Sequence, residues 1–323
     1  MATPVILTTV RPGYIERHGV GAEALDKEMD KLVVRSNATV LQGAQFFRTA
    51  MAKAGSYKES DVGTSLELPP ENEDSDNLPF ATPIQGYSKS ITIVNRRLAI
   101  QVERSFTEDE LFSVARKLMG GLVRSGRLSI EYAMADILNN LVTDSSTYWG
   151  ADGCPVAYAS HPQTRRATGT WSNIGTAAAL TTTTMFTAYT AMRKRTDEWG
   201  YKDPIRLSLL VVPPELEKKA AEIKGSTLVP ETSINAKNVM PELADWGYTV
   251  YDYATDTNAW WLWGNKGNEE DYNGFIYVQR VAPSVGPVEG KDKATDIIWG
   301  QRLRMRVGFG TRICKNLEYN EGA

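Results

Sequence analysis

Apolar and polar positions alternate most cleanly near the end of the chain. There Leu303, Met305, Val307 and Phe309 are interleaved with Arg302, Arg304, Arg306 and Gly308. A period of two is the signature of a strand with one covered face. Ser88–Val94 alternates through Ile91 and Ile93, and Leu98, Ile100 and Val102 do the same after the short Asn95-Arg96-Arg97 connection. The pair predicts a β-hairpin whose apolar row needs cover on one side. Helical spacing then takes over. Thr107-Glu108-Asp109-Glu110 fits a capping box, with the Thr107 hydroxyl accepting from the third helical N–H and Glu110 reaching back. Its acidic first turn suits the positive end of the helix dipole. Leu111, Val114, Ala115, Leu118 and Leu122 form one stripe, and Ile130, Ala133, Met134, Ile137, Leu138 and Leu141 form another after Gly126. Together they predict a long helical segment, bent or broken near Ser125-Gly126.

Elsewhere the pattern is mixed. The first thirty or so residues carry Pro4, Pro12, Gly13, Gly19 and Gly21 and read as an extended arm, followed by helix over 22–52. Tyr148 to Asn173 is rich in Gly, Ser, Thr and Pro and reads as loop. Met185 to Trp199 reads as a helix closed by Gly200. Leu207 to Val212 reads as a buried strand, and Pro213-Pro214 opens a helix through Leu216, Ala220 and Ile223 that stops at Gly225. Tyr248–Tyr253, Trp260–Trp263 and Phe275–Val281 complete the predicted strands. Strands and helices without a regular βαβ rhythm predict an α+β fold.

Between Lys58 and Gln85 the chain runs through acidic and proline-rich sequence, including Glu71-Asn72-Glu73-Asp74-Ser75-Asp76, without one basic residue. Such composition buries too little apolar surface to repay the entropy of ordering it, so the stretch reads as a lid, a binding arm or a disordered linker, and as an arm it would be held by another subunit. At 323 residues the chain has room for one large or two moderate cores. A net charge of −3 gives no global attraction to nucleic acid or to an anionic membrane. Cys154 and Cys314, far apart in sequence, do not form a secreted disulfide framework, and reduced thiols are expected. The start of the chain lacks the features of a signal peptide, and no apolar run approaches the roughly 18 residues that span a bilayer. A soluble, cytoplasmically made protein is expected.

Catalytic signatures are absent: there is no nucleophile elbow, Walker loop or His-Glu-x-x-His. His161 follows Cys154 by seven residues, but a four-ligand zinc site would have to recruit His18 and Cys314; a loop histidine bonded to nearby backbone is the preferred reading. Glu71, Glu73, Asp74 and Asp76 would suit a two-carboxylate hydrolase only if one were held in an apolar pocket, and they read as solvated instead. Arg302, Arg304 and Arg306 could contact phosphates, pair with acidic groups of a neighbour or face water. Trp260, Trp261 and Trp263 read as core or interface packing rather than a stacking platform for sugars or bases. Asn37-Ala38-Thr39 is a glycosylation sequon in form only. No catalytic, cofactor-binding or metal-binding residue is assigned, and no cofactor is expected.

One run of residues carries a resemblance. It extends from Ser160-His161-Pro162 through Gly169-Thr170-Trp171-Ser172-Asn173 and Ala179-Leu180 to Glu198-Trp199-Gly200. It continues with Leu209-Leu210-Val211-Val212-Pro213-Pro214-Glu215 and Asn235-Ala236-Lys237-Asn238. In order and spacing it resembles the major capsid proteins of tailed bacteriophages, in particular the Mu-like head-subunit branch, whose shell fold is shared with the herpesvirus floor domain and encapsulins. The resemblance implies an N-terminal arm over 1–35, a helical joining segment over 36–57 and an extended loop with its hairpin over 58–106. It further implies a peripheral domain with a spine helix over 107–174, an axial domain over 175–262 and return strands of the peripheral domain over 263–323. It implies a structural, non-catalytic subunit that assembles into hexamers and pentamers as an icosahedral head around double-stranded DNA, located in the virion and assembled in the host cytoplasm. Expected partners are the chain itself, portal, scaffolding and decoration proteins, and DNA by weak non-specific contact, with no membrane. Some relatives crosslink through an extended-loop lysine; Lys58 and Lys89 lie near that region, and nothing in the sequence marks either as reactive. An encapsulin-type compartment and a soluble acidic-site hydrolase are the alternative readings.

Overall fold

The computed structural model describes residues 8–9, 31, 41–62, 69, 71, 80, 85–103, 112–163, 169–197, 200–230, 236–243, 245–265, 274–288 and 297–323. Within these bounds the chain divides into two compact units. The first comprises Met1–Tyr57, Ile91–Asp136 and Ile276–Gly310; the second comprises Lys58–Ser90, Ile137–Phe275 and Thr311–Ala323. Helices and sheets are mixed without a repeating parallel crossover, which makes the fold α+β.

The first unit is built on a five-stranded sheet. Its strands are β1 (Thr8–Thr9), β2 (Arg48–Met51), β5 (Val94–Glu103), β11 (Phe275–Pro287) and β12 (Ile297–Thr311). The order is β1-β11-β12-β5, with β2 also pairing β11 in parallel. β12 and β5 run antiparallel with Leu303 opposite Leu98 and Val307 opposite Val94. The apolar row read from Leu303, Met305 and Val307 is buried, as alternation requires.

Helix α1 (Phe112–Asn139) covers that row and is continuous through Ser125-Gly126, where a break was expected. A Cβ at Gly126 would sit 2.8 Å from Leu303 Cδ2, so the missing side chain lets the helix lie close on the sheet. Glycine costs a helix interior about 1 kcal/mol relative to alanine, and close packing offsets it here. Because the helical phase runs unbroken through Gly126, the buried face is Met119, Leu122, Val123, Ile130 and Met134. Leu118, assigned to the stripe by its spacing, is exposed instead. The capping box at Thr107 lies outside the described residues.

The helix expected over 22–52 is corrected over 41–52, and the helical joining segment expected over 36–57 is corrected over 41–57, whereas Lys31 is helical. Gly43–Gln45 is a single 3-10 turn, and it leads into β2 and then β3 (Ser56–Val62). Here Gly43 N–H donates to Glu131 Oε1 at 2.8 Å, so the chain is tied to α1 as a turn. β3 pairs with β4 (Gln85–Thr92) as a separate two-stranded ribbon. The Ser88–Val94 strand therefore belongs to this ribbon, and the Leu98–Val102 strand belongs to the main sheet, rather than the two forming one hairpin.

The second unit centres on a four-stranded sheet. Its strands are β8 (Arg206–Val212), β9 (Gly247–Val250), β10 (Trp260–Asn265) and β13 (Leu317–Asn320), in the order β13-β10-β8-β9. β6 (His161–Pro162) and β7 (Thr170–Trp171) form a small ribbon beside it in sequence. Helix α2 (Thr182–Arg193) begins with a reciprocal capping box between Thr181 and Thr184. It ends at Arg193, short of the expected Trp199; Gly200 does adopt a positive φ of 85°, but in a turn between Thr196 and Lys202. Pro214 opens a 3-10 turn that continues as helix α3 (Glu217–Gly225), as its prolines predict, and helix α4 (Met240–Leu243) follows. The core beneath is formed by Met185, Met192, Leu210, Val212, Trp246 and Trp260, among others. β13, a strand that the sequence pattern did not predict, joins this second sheet opposite Trp260–Trp263 of β10.

Candidate assembly surfaces

Two features of the first unit stand on the face of its sheet turned away from α1. The first is the base of the β3–β4 ribbon. Ile91 and Ile93 pack with Ile276 and Val278 of β11, covered by Ala50, Ala52 and Tyr57. The Ile93 N–H donates to the Gly55 carbonyl at 3.2 Å, which pins the ribbon's two ends together. The Ile91 side chain lies where Cβ atoms would stand on Gly308 and Gly310, at 3.1 Å and 2.5 Å. Those two glycines are what allow the ribbon to seat on the sheet.

The second feature is a row of arginines on that same face. Strand alternation puts Arg302, Arg304 and Arg306 on it, together with Gly308 and Gly310. Register puts Ala99 opposite Arg302, Arg97 opposite Arg304 and Asn95 opposite Arg306. On β11, Arg280 follows Ile276 and Val278 at the same parity. These five arginines share that face with Arg48 of β2, which stands opposite Ile276. Arg97, Arg302 and Arg304 are exposed, while Arg280 and Arg306 are half-buried. The Arg97–Arg304 pair sets two like charges directly across from each other. The spacing of Arg302, Arg304 and Arg306 pointed to this row; Arg97 and Arg280 came only with the register.

The histidine with the metal-like neighbour has other work. His161 is buried in β6, with Nδ1 at 2.6 Å from Asp152 Oδ2 and Nε2 at 3.0 Å from Asn173 Oδ1. Asn173 donates through Nδ2 to the Val156 carbonyl at 2.6 Å and the Cys314 carbonyl at 3.2 Å, and its Oδ1 also accepts from the Tyr158 N–H at 2.7 Å. The imidazole stacks on Trp171 with centroids 4.3 Å apart, and the Arg195 guanidinium lies 5.7 Å from the centroid of the same ring. Arg195 in turn donates to the Leu317 carbonyl at 2.6 Å and pairs with Glu318 in β13. Burial pushes the Glu318 carboxyl above its ordinary range, and the adjacent Arg195 pulls it back. The expected backbone partners of His161 are replaced by two side chains, and both ring nitrogens are occupied by structural bonds. His18 lies outside the described residues. Cys154 and Cys314 are free thiols; burial, then Asp152, pushes both upward in pKa, so neither favours thiolate chemistry.

Of the acidic candidates, Glu71 is exposed, and Glu73, Asp74 and Asp76 lie outside the described residues. Trp260 and Trp261 are core residues, and Trp263 stacks on Phe275 at 5.6 Å, so this cluster is packing. Lys58 is exposed on β3. Lys89 is tied to the Trp149 carbonyl and to Thr311 Oγ1, 3.2 Å away, and burial lowers its pKa against the raising influence of Asp152. Asn37 lies outside the described residues. Among the described residues no group of three or more His, Cys, Asp or Glu could hold a metal ion, and no helix is long and apolar enough to cross a membrane.

The chain is similar in fold to a chain from Microbacterium phage Oxtober96, with a TM-score of 0.54 and 10% identity over 98% of this chain and 96% of the other. It is also similar to the capsid structure of the cyanophage P-SCSP1u, with a TM-score of 0.51 and 10% identity over 86% of each chain. No curated protein matches it. The model of the phage capsid protein family matches residues 98–316, which takes in the latter part of β5, α1, the strands β8, β9 and β10 of the second sheet, and the arginine strand β12. The chain therefore belongs to the phage capsid protein family.

Proposed function

We propose that the chain is a major capsid subunit that assembles into hexamers and pentamers and closes an icosahedral head around double-stranded DNA, without catalysis of its own. The family match over residues 98–316 carries this reading. The isolated subunit supports it. Phe80, at the end of the acidic stretch, is 88% exposed, and Met51 is 72% exposed, which is costly for large apolar side chains unless a neighbour covers them. Residues 1–35 then serve as an arm, the acidic stretch with the β3–β4 ribbon as an extended loop, and 175–262 as the axial domain. Portal, scaffolding and decoration proteins are the expected partners, and the acidic net charge keeps contact with packaged DNA weak.

Negative-stain microscopy with sedimentation velocity of the full chain, alone and co-expressed with its scaffolding protein, tests the proposal. Rings or closed shells are expected. A single 35.7 kDa species under every condition would overturn it.

A further inference from the structure

We infer that His161 and Asp152 form a proton-held lock in the second unit. They are a buried imidazolium–carboxylate pair that keeps one proton more than a neutral histidine beside a carboxylate, and the lock loosens when that proton is withdrawn. The inference goes beyond the capsid reading and does not depend on it.

The proton count follows from the direction of the hydrogen bonds. Asn173 Nδ2 faces the carbonyls of Val156 and Cys314 at 2.6 Å and 3.2 Å, and a carbonyl can only accept. Asn173 Oδ1 accepts the Tyr158 N–H at 2.7 Å, so the amide has a single orientation. The atom it turns toward His161 Nε2, 3.0 Å away, is therefore the oxygen, and Nε2 must donate. On the other side of the ring, Nδ1 meets Asp152 Oδ2 at 2.6 Å. A neutral imidazole with its proton on Nε2 has a bare lone pair on Nδ1. Two lone pairs facing at that distance repel, so a proton stands between them. Free histidine is the more basic side chain, about 6.5 against about 3.9 for aspartate, which puts that proton on the ring.

The surroundings suit such a pair. The imidazole stacks on Trp171 with centroids 4.3 Å apart, and a cation over an indole face is favourable. Tyr158 meets the imidazole at a right angle, at 5.8 Å. Arg195 and Lys315 approach the Trp171 ring at 5.7 Å and 6.0 Å, and Glu318 neutralises Arg195. Asp152 Oδ1 accepts the Cys154 N–H at 3.3 Å. Its charge also acts on Lys89 of β4 and on the Cys154 and Cys314 thiols. Both members of the pair are 1% exposed, so either charge left alone would be strongly destabilising. Through Asn173 the pair ties the loop after α1 to β6, to the end of β7 and to the approach to β13.

An unfolded histidine gives up this proton near pH 6.5, at about 6.5 in free chains. Because the native pair keeps it, its contribution to stability is complete below that value. Above it the contribution is lost, at roughly tenfold in the unfolding equilibrium constant per pH unit for one proton.

Asp152→Asn separates the proton from the hydrogen bonds. Its amide oxygen keeps the Cys154 N–H while its NH2 donates to Nδ1, so every bond survives with a neutral ring. Urea unfolding of the full-length chain, dilute and unassembled, is followed from about pH 6.5 to about pH 8, below the titration of free thiols. The wild-type unfolding constant is expected to rise about tenfold per pH unit more steeply than that of D152N. Equal pH dependence in the two overturns the inference. The chain has two histidines, so His18→Gln leaves one imidazole to observe by NMR with isotope-labelled histidine. At the upper end of the same pH range both nitrogens of His161 are expected to carry protons. One bare ring nitrogen overturns the inference, whether or not D152N folds.

Discussion

Asn173 illustrates how much one side chain can hold. Its amide joins Val156, Tyr158, His161 and Cys314, the last of them 141 positions further along the chain. Replacing it with alanine strands several buried groups at once and is expected to cost about 3 kcal/mol, read as a lower guanidinium midpoint. The motif His161-Pro162 was visible in the sequence, but its partners were not. Asp152 and Asn173 lie nine and twelve residues away in loop-like sequence, and no periodicity links them. Two tyrosines make a second prediction at this scale. Burial, against a hydrogen bond from Gln279, pushes Tyr277 up to about 12; burial with nearby Asp256 and Glu321 does the same to Tyr319. Both folded values exceed the ordinary 10.0, so the native state holds protons that the unfolded chain releases. Their contribution to stability is complete below pH 10 and is lost as pH rises through 12. In a spectrophotometric titration of tyrosinate absorbance, Tyr277 and Tyr319 should ionise late, and denaturant should abolish the delay.

Among the elements, those with one covered face were the legible ones. β12 and α1 were found because half their residues meet a core and half meet solvent. β13 was missed for the opposite reason. Leu317, Glu318, Tyr319 and Asn320 are all buried, and a carboxylate inside a strand hides the pattern unless its partner Arg195 is known. β2 was read as helix because its apolar content is small and its register is supplied by β11. Gly308 and Gly310 signalled a close approach without naming what approaches. Gly308→Val is expected to push against the Thr92 carbonyl, which stands 2.8 Å from the position of the new Cβ, and to unseat the ribbon base at a cost of about 2 kcal/mol. Faster hydrogen exchange at the Ile93 amide, with the Met185–Met192 helix unaffected, would report it.

For the molecule as a whole, family and fold class could be read from the order of short motifs, because a shell subunit keeps its strands and helices in sequence while its surfaces change. What could not be read was how the chain divides. The division at Tyr57, Ser90, Asp136, Phe275 and Gly310 cuts through strands and the long helix, and composition does not shift at Asp136, Phe275 or Gly310. Assembly carries the prediction that belongs here. Raising salt from 0.1 M to 1 M shrinks the Debye length from about 10 Å to about 3 Å and should slow capsomer formation if charged surfaces meet, as read by light scattering.

The placement of β13 and Cys314 sets a schedule for biosynthesis. The second sheet, the Arg195–Glu318 pair and the Asn173 network all wait for residues 314–320 to emerge from the ribosome. A nascent polypeptide that lacks them is expected to leave the β10 edge and Arg195 without their partners. Premature joining of half-made subunits is thereby discouraged, and a chain shortened before residue 314 should reach the cell's proteases rather than the growing shell.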